Sequence, residues 1–259
     1  MPIIVSRVAA TTLVFLALGV AGFYIGAGSS ASGAYPDPPT YYETVLDDAP
    51  AAYWRFGEPS GTTQVDSSGH NNNGTYLGGV ALGATGITGA APNTAATYDG
   101  INDTSRIPDS LSLDVGNTFT AEGWIKRSAV TKTHELFNKG GNGLHIVVMA
   151  ASSSNQVLLR RANVGTLAKS SVPVLADGAY HHIVVTLNGL GSSAKIYIDG
   201  VDVTTIVAPG QTVFDTAFLL TMGSAGSTAA QYDEFALYDT VLTPDQVAEH
   251  YALGVGTLT

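Results

Sequence analysis

Side chains with oxygen donors are grouped at three places along the chain. Two adjacent acids, Asp233 and Glu234, stand near the start of the stretch YDEFALYD, residues 232–239. A loop with the sequence DSSGHNNNG, residues 66–74, and a turn with the sequence DGIND, residues 99–103, are rich in Asp and Asn. Ca²⁺ binds about six to eight oxygens from carboxylates, amide side chains and backbone carbonyls. Because Asp and Asn also form ordinary turns by bonding to their own backbone, these groups fit either a cation site or turns alone.

The acids do not have the arrangement of a glycosidase. Glycoside hydrolysis needs two carboxylates that face each other across about 5–9.5 Å. On a strand Asp233 and Glu234 would diverge, since successive side chains point to opposite faces, and Glu122 has no acidic neighbour in the sequence. The chain also has no GxSxG motif, no cysteine and no phosphate-binding loop. We therefore predict that the protein is not an enzyme.

Two adjacent histidines raise the question of a zinc site. His181 and His182 lie in an apolar, strand-like stretch, so their side chains point to opposite faces and cannot bind one ion. No third ligand stands at a spacing typical of zinc sites. We therefore interpret both histidines as packing residues of a strand.

A carbohydrate site would need exposed aromatic rings beside Asn or Asp side chains. Tyr76 follows the Asn-rich loop that contains Asn72, and Tyr98 precedes Asp99 and Asn102. Core or turn packing of these tyrosines is the alternative. The candidate ligand-binding residues are Asn72, Tyr76, Asp99 and Asn102.

The composition favours strands and turns over helices. The chain has 259 residues, of which 30 are glycine and only 12% are charged. Its formal net charge is −10, which repels polyanions, so no nucleic-acid partner is expected. The absence of cysteine excludes disulfides and thiolate metal sites.

An uncharged segment of 20 residues, residues 8–27, follows Arg7 near the amino terminus. At about 1.5 Å per residue a helix of this length spans a bilayer core of roughly 30 Å. The segment is longer than the apolar region of an ordinary signal peptide, which favours a retained membrane anchor over a cleaved signal. We therefore divide the chain into a hydrophobic helix at residues 1–30, a Gly/Ser/Pro linker at residues 31–40 and a folded domain at residues 41–259.

The folded domain is predicted to consist of short strands and one helix. Alternating or apolar runs end at Gly, Asn and Asp, and the dipeptide Asp199-Gly200 is typical of a hairpin turn. Such punctuation indicates a β-sandwich. Thr243, Pro244 and Gln246 form the start signal of a short C-terminal helix, because they provide a cap, a first-turn proline and a capping-box partner.

Seven stretches of the sequence follow one another in the order of a known family. They are AAYWRFGEPSG (51–61), VDSSGHNNNGTY (65–76), YDGINDTSRIPDSLSLD (98–114), TFTAEGWIK (118–126), YHHIVVTLNG (180–189), KIYIDG (195–200) and YDEFALYDTVLTPDQVAEHY (232–251). Over roughly residues 41–254 the chain resembles the laminin G-like, concanavalin A-like jelly-roll family. The resemblance implies an all-β sandwich of two antiparallel sheets with one short C-terminal helix.

The resemblance also implies a cation site. In this architecture the first and last strands lie close together, which would bring Glu58 and Asp66 near Asp233. It implies a Ca²⁺ held by Asp66, Asp233 and loop carbonyls, with Glu58 and Asn71 as further candidate ligands. Glu234 would then point away from the ion.

The predicted function is that of a non-catalytic module outside the cytoplasm, either periplasmic or on a cell or virion surface. It would bind a carbohydrate or protein ligand through its loops, with calcium as organiser and residues 8–27 as membrane tether. Cleavage of that segment would make it a secreted protein. The alternative is an accessory structural subunit that docks onto neighbouring subunits of a membrane, cell-surface or virion assembly and has no small-molecule ligand.

Overall fold

The computed structural model describes residues 40–90, 92–129, 133–140, 143–148, 155–161, 164–213, 217–223 and 229–257, with only the backbone of residues 147 and 148. The predicted hydrophobic helix, residues 1–30, lies outside the described residues, as does the predicted linker except Thr40. Among the described residues, no helix is long and apolar enough to span a membrane.

The described residues form 17 strands in two antiparallel sheets. Sheet A has eight strands, in the spatial order β14 (Val201–Asp202), β13 (Lys195–Ile198), β12 (His181–Asn188), β7 (Thr118–Arg127), β17 (Ala230–Tyr238), β5 (Thr94–Tyr98) and β4 (Ala81–Thr85), with β1 (Ala52–Trp54) also paired to β17. Sheet B has nine strands, in the order β15 (Thr204–Ile206), β11 (Gly165–Ser170), β10 (Val157–Arg161), β9 (Leu144–Val148), β8 (His134–Asn138), β16 (Leu220–Met222), β6 (Thr104–Ile107), β3 (Gly74–Leu77) and β2 (Thr63–Gln64). The pairing of the first strand with the last, implied by the resemblance, is confirmed.

The core lies between the two sheets. Trp54, Phe119 and Phe235 of sheet A are buried against a cluster that includes Phe137 and Ile146 of sheet B. Gly123 of β7 makes room for the Phe235 ring, because a Cβ at this position would lie only 2.0 Å from Phe235 Cδ1. Since one set of alternate residues fills this core, the other set points to the outer faces.

The predicted C-terminal helix is confirmed as α2 (Pro244–Gly254). The Thr243 side chain accepts the backbone N–H of Gln246, and the Gln246 side chain accepts the backbone N–H of Thr243. These two bonds satisfy backbone donors that the first turn leaves unpaired.

A second helix, α1 (Tyr41–Asp47), was not predicted. It begins with the same capping box, formed by Thr40 and Glu43. Both described α-helices bury their apolar residues against the outer face of sheet A, in a cluster that includes Tyr41, Trp124, Val184, Tyr238, Val247 and Leu253. No described helix packs on the outer face of sheet B.

Candidate functional site

The acidic pair lies in a bulge of β17. The register of β17 against β7 shifts between Asp233 and Ala236, and Glu234 has a φ of +50°. This breaks the alternation of side chains, so both carboxylates accept from Asn93 Nδ2, at 2.9 Å for Glu234 and 3.4 Å for Asp233. The prediction that these acids point to opposite faces is therefore wrong.

The pair closes a gap in the edge pairing of β17. Along one edge, β17 pairs first with β5 and then with β1. Asp233 accepts the backbone N–H of Ile87 at 2.8 Å. Glu234 accepts from the Tyr53 hydroxyl and from Arg55, whose Nη2 lies 3.0 Å from Oε1. The two acids thus replace ladder bonds at the point where one neighbouring strand ends and the other begins.

Both carboxylates are fully buried. Burial raises the pKa of Asp233, and the adjacent Glu234 charge raises it further. Burial also raises the pKa of Glu234, while the Arg55 guanidinium opposes that rise. The negative charge of the pair is therefore held on Glu234, beside Arg55.

The other two predicted acidic ligands are bonded within their own loops. Asp66 Oδ1 accepts the backbone N–H of Tyr53 at 2.9 Å, and its Oδ2 accepts that of Asn72 at 2.8 Å. Glu58 accepts the backbone N–H of Val65 and the Tyr76 hydroxyl, each at 2.7 Å. Asp66 thus joins the loop of residues 66–74 to β1, and Glu58 bonds the residues on either side of that loop.

These bonds do not fit one cation shared by the four predicted ligands. Every carboxylate oxygen of Asp66, Asp233 and Glu58 already accepts an internal donor, and no donor is common to two of these residues. Asn71 lies exposed in a left-handed turn with a φ of +61°. In the described part of the chain, no group of three or more His, Cys, Asp or Glu side chains is placed to hold a metal. Calcium binding stays a prediction from the sequence.

The four predicted ligand-binding residues divide into two buried and two exposed. Tyr76 is 4% exposed and packs in the core. Asn72 is equally buried, and its side chain donates to Ala51 O and accepts from Ser110. Asp99 and Asn102 lie at the surface in the turn of residues 99–103, where Asn102 Nδ2 donates to a backbone carbonyl at 3.2 Å. Asn72 and Tyr76 are thus structural, and Asp99 and Asn102 do not adjoin an exposed aromatic ring, because Tyr98 is buried.

A cleft of about 530 Å³ opens beside the acidic pair, with Tyr42, Arg55, Gly57 and Asn93 in its wall. The Arg55 guanidinium lies 4.4 Å from the centre of the Tyr42 ring, and that ring also stacks on Tyr53. Because Arg55 and Tyr53 pack against the Tyr42 ring, this ring is not free to stack on a ligand in the cleft.

Glu122 has partners that the sequence analysis did not predict. It is fully buried beneath α2, where His182 Nε2 lies at 3.1 Å and His250 Nδ1 at 3.0 Å. The Tyr238 hydroxyl donates to it, and Asp48 bonds the other nitrogen of His250 at 3.2 Å. Burial alone would lower the pKa of His250, but Glu122 and Asp48 raise it to about 10. This network holds both helices onto sheet A.

The adjacent histidines contact different acids, as expected from strand alternation. His182 bonds Glu122, whereas His181 Nδ1 lies 2.8 Å from Asp199 in the β13–β14 hairpin turn. Both therefore have structural partners, in agreement with the prediction that they are packing residues.

The outer face of sheet B carries a line of polar side chains in direct cross-strand register. We call these seven residues the polar row: Thr75 (β3), Arg106 (β6), Thr221 (β16), Asn138 (β8), His145 (β9), Arg160 (β10) and Thr166 (β11). Each is exposed or half-buried, while the residues beside them in each strand are mostly buried in the core. With strands about 4.8 Å apart, the row crosses roughly 29 Å of the face.

Sequence reasoning did not find the polar row. The pairing of Arg106 with Thr221 joins residues far apart in the chain. Cross-strand register of this kind is set by the whole fold. The local signal that exists is the alternation of polar and buried residues in β3 and β6.

Comparison with known proteins agrees with this architecture. A family model described as the concanavalin A-like lectin/glucanases superfamily matches residues 99–248, more than half of the chain. No curated protein matches.

Several solved structures share the fold at low identity. The binding domain of Paraclostridial Mosquitocidal Protein 1 is 16% identical, with a TM-score of 0.61 over 80% of this chain and 52% of that one. Domain 4 of AbnA, a GH43 extracellular arabinanase from Geobacillus stearothermophilus solved with arabinotriose, is 18% identical, with a TM-score of 0.60 over 78% of this chain and 98% of that one. A botulinum neurotoxin type C structure, from a toxin whose cell entry depends on interaction with two ganglioside molecules, is 14% identical, with a TM-score of 0.60 over 80% of this chain and 52% of that one. This chain thus spans about half the length of the two toxin chains.

The two-sheet sandwich, the pairing of its first and last strands and the match over residues 99–248 lead to one assignment. The chain belongs to the concanavalin A-like lectin/glucanases superfamily.

Proposed function

We propose that this protein is a non-catalytic carbohydrate-binding domain whose ligand lies across the outer face of sheet B. The observation that carries the proposal is the polar row, in which seven outward side chains stand in register on a face without a described helix. We thus propose a sheet face as the site instead of the loops that the sequence indicated, and hydrogen bonding instead of the aromatic contacts expected there.

The chemistry of the row suits a ligand rich in hydroxyl groups. Each sugar hydroxyl both donates and accepts hydrogen bonds, and so do the threonine hydroxyls and the Asn138 amide. The row offers one polar side chain on every strand it crosses, with the arginines of β6 and β10 as donors only, which suits an extended chain that runs perpendicular to the strands. Domain 4 of the arabinanase, which shares the fold, was solved with arabinotriose.

The placement of the acids supports a role without catalysis. Glu122, Asp233 and Glu234 are fully buried and bonded to internal donors. Glu135 is the one acid in the strands of sheet B, and it bonds His145 at 3.0 Å and Asn138 at 3.3 Å. A second carboxylate facing it, which glycoside hydrolysis needs, is not present in these strands.

We further propose that the domain acts outside the cytoplasm. The support is the uncharged segment of residues 8–27, which is long enough to span a bilayer and follows Arg7. In that arrangement the outer face of sheet B meets glycans of the surrounding medium or of a neighbouring surface.

The test is a glycan array probed with the full-length chain in a mild detergent, followed by titration of each positive glycan. Thr75→Val and Thr166→Val remove hydroxyls at the two ends of the row, and we expect each to weaken binding by about twofold to fivefold. Thr85→Val, on exposed strand β4 of sheet A, is the matched control and leaves binding unchanged. A blank array, together with stoichiometric co-purification of fixed partner subunits from membranes, would overturn the proposal in favour of the structural-subunit alternative.

A further inference from the structure

We infer that the glycan bound by the polar row is acidic, bearing carboxylate or sulfate groups that Arg106 and Arg160 bind. This inference rests on the proposed function and names the class of its ligand. Three observations carry it: the charge of sheet B, the lack of partners for these arginines and their spacing.

The strands of sheet B differ in charge from the rest of the chain. Of the chain's 11 basic residues, Arg106, Arg160, Arg161 and Lys169 lie in these strands, whereas Glu135 is the one of its 21 acidic residues that does. Leu159 and Leu167 are buried in the core, while Arg160 and Lys169 are part-exposed. The outer face of sheet B is therefore a basic surface on an acidic protein.

Three other basic side chains of the described residues pair with acids. Arg55 bonds Glu234 at 3.0 Å, Lys139 bonds Asp109 at 2.6 Å and Lys195 bonds Asp202 at 2.8 Å. Among the described residues, neither Arg106 nor Arg160 forms a side-chain hydrogen bond or ion pair, and the Arg160 Nε is buried without an acceptor. Because both side chains are exposed or part-exposed, an anion can reach their guanidinium groups without displacing an internal acceptor.

The spacing of the two arginines favours a chain over a single small anion. Four strand intervals separate β6 from β10, which corresponds to about 19 Å. Thr221, Asn138 and His145 lie between the arginines in the same row. An acidic polysaccharide places its charges at the two guanidinium groups and its hydroxyls at the side chains between them. The planar guanidinium can bind carboxylate or sulfate oxygens through two parallel hydrogen bonds.

The net charge of −10 does not prevent this contact. At physiological ionic strength the Debye length is about 8 Å, so acids on the far side of the sandwich are screened at the outer face of sheet B. Arg106 and Arg160 then contribute most of the electrostatic interaction with a ligand on this face. The row contains no Phe, Tyr or Trp, so neither nucleobases nor sugar rings can stack on it, and its recognition rests on hydrogen bonds and charge.

The experiment compares ligands that differ only in charge. The full-length chain in mild detergent is titrated with polygalacturonate and hyaluronan, with the methyl esters of both, and with chondroitin sulfate beside desulfated chondroitin. We expect at least one charged form to bind about tenfold more tightly than its uncharged counterpart at 50 mM NaCl, and this preference to shrink at 500 mM NaCl.

Variants assign that preference to the arginines. The double variant Arg106→Gln/Arg160→Gln removes it, while Arg106→Lys retains part of it, because lysine keeps the charge but lacks the planar fork. Lys195→Gln on sheet A changes the net charge by the same amount as one arginine substitution and leaves the preference intact. Melting curves check that each variant is folded, which the surface position of the arginines leads us to expect.

The outcomes separate this inference from the proposed function. Binding of uncharged glycans with no preference for charge overturns the acidic ligand and leaves the carbohydrate-binding domain standing. No binding to any glycan overturns both. Binding of single-stranded DNA or polyphosphate as tightly as of acidic glycans, or a charge preference that survives in the double glutamine variant, also contradicts the inference.

Discussion

Beneath the helices on the outer face of sheet A charged side chains are buried and paired, whereas on the outer face of sheet B they are partly exposed. On sheet A, Glu122 is 0% exposed beneath α2 and is bonded by His182, His250 and Tyr238. On sheet B, the Glu135 side chain is 21% exposed, and the arginines of the polar row have no partner among the described residues. A charge that is covered must be paired, whereas a charge in water need not be. The difference indicates that the helix-covered face serves the fold and that the basic face is available to a ligand.

The largest effect on the free energy of unfolding is expected for Glu122, in comparison with Glu135. Each of these glutamates bonds a histidine on the outer face of its sheet. Glu122→Ala leaves His250 and His182 buried without their shared acceptor, so it should lower the free energy of unfolding by about 3–5 kcal/mol. Glu135→Ala removes a partly exposed contact with His145 and should cost no more than about 1 kcal/mol. Urea unfolding of both variants measures the difference. Equal losses would show that cover by the helices does not distinguish the two faces.

The buried network also makes stability depend on pH. The folded-state pKa of His250, about 10, lies above its unfolded value of about 6.5. The contribution of His250 to the free energy of unfolding is therefore complete below about pH 6.5 and is lost as the pH rises toward about 10. We expect the free energy of unfolding to fall by an amount on the order of 3 kcal/mol between pH 6 and pH 9.5. His250→Gln should flatten this dependence in urea unfolding at the two pH values. A slope that persists unchanged in the variant would assign the effect to other groups.

A smaller contrast is expected between two arginines. Arg55→Met removes the cation beside the buried Glu234, although Tyr53 and Asn93 still donate to that carboxylate. The expected loss in free energy of unfolding is about 2 kcal/mol. Arg106→Met, on the polar row, should change it by less than about 0.5 kcal/mol. Thermal and urea unfolding compare the pair, and a large loss from Arg106→Met would mean that this arginine is structural.

The smallest effect concerns calcium. Because the carboxylate oxygens of Asp66, Asp233 and Glu58 accept internal donors, excess Ca²⁺ should raise the melting temperature over that in chelator by less than about 1 °C. Differential scanning calorimetry of the full-length chain checks this. A rise of several degrees that Asp66→Asn abolishes would restore the predicted site.

Local sequence signals were sufficient for much of the fold. The hairpin dipeptide Asp199-Gly200 and the capping box at Thr243 each act within a few residues, and both predicted elements are present. Helix α1 has the same kind of box at Thr40 and Glu43, so it could have been found by the same rule.

The candidate sites could not be read in the same way. The bulge at Glu234 needs a positive φ that a glutamate does not signal in sequence, and it brings together two acids that regular alternation separates. The network around Glu122 joins it to His250, which is 128 residues away. The polar row likewise depends on register between strands that are distant in the chain.

The most direct test blocks the outer face of sheet B. Thr221 lies inside the polar row, and Thr221→Trp would place a large ring over the neighbouring strands, while Thr85→Trp adds the same ring to sheet A. Binding of the tightest glycan from the array should fall by at least about tenfold for Thr221→Trp and stay unchanged for Thr85→Trp. Undiminished glycan binding by a folded Thr221→Trp variant would contradict the account.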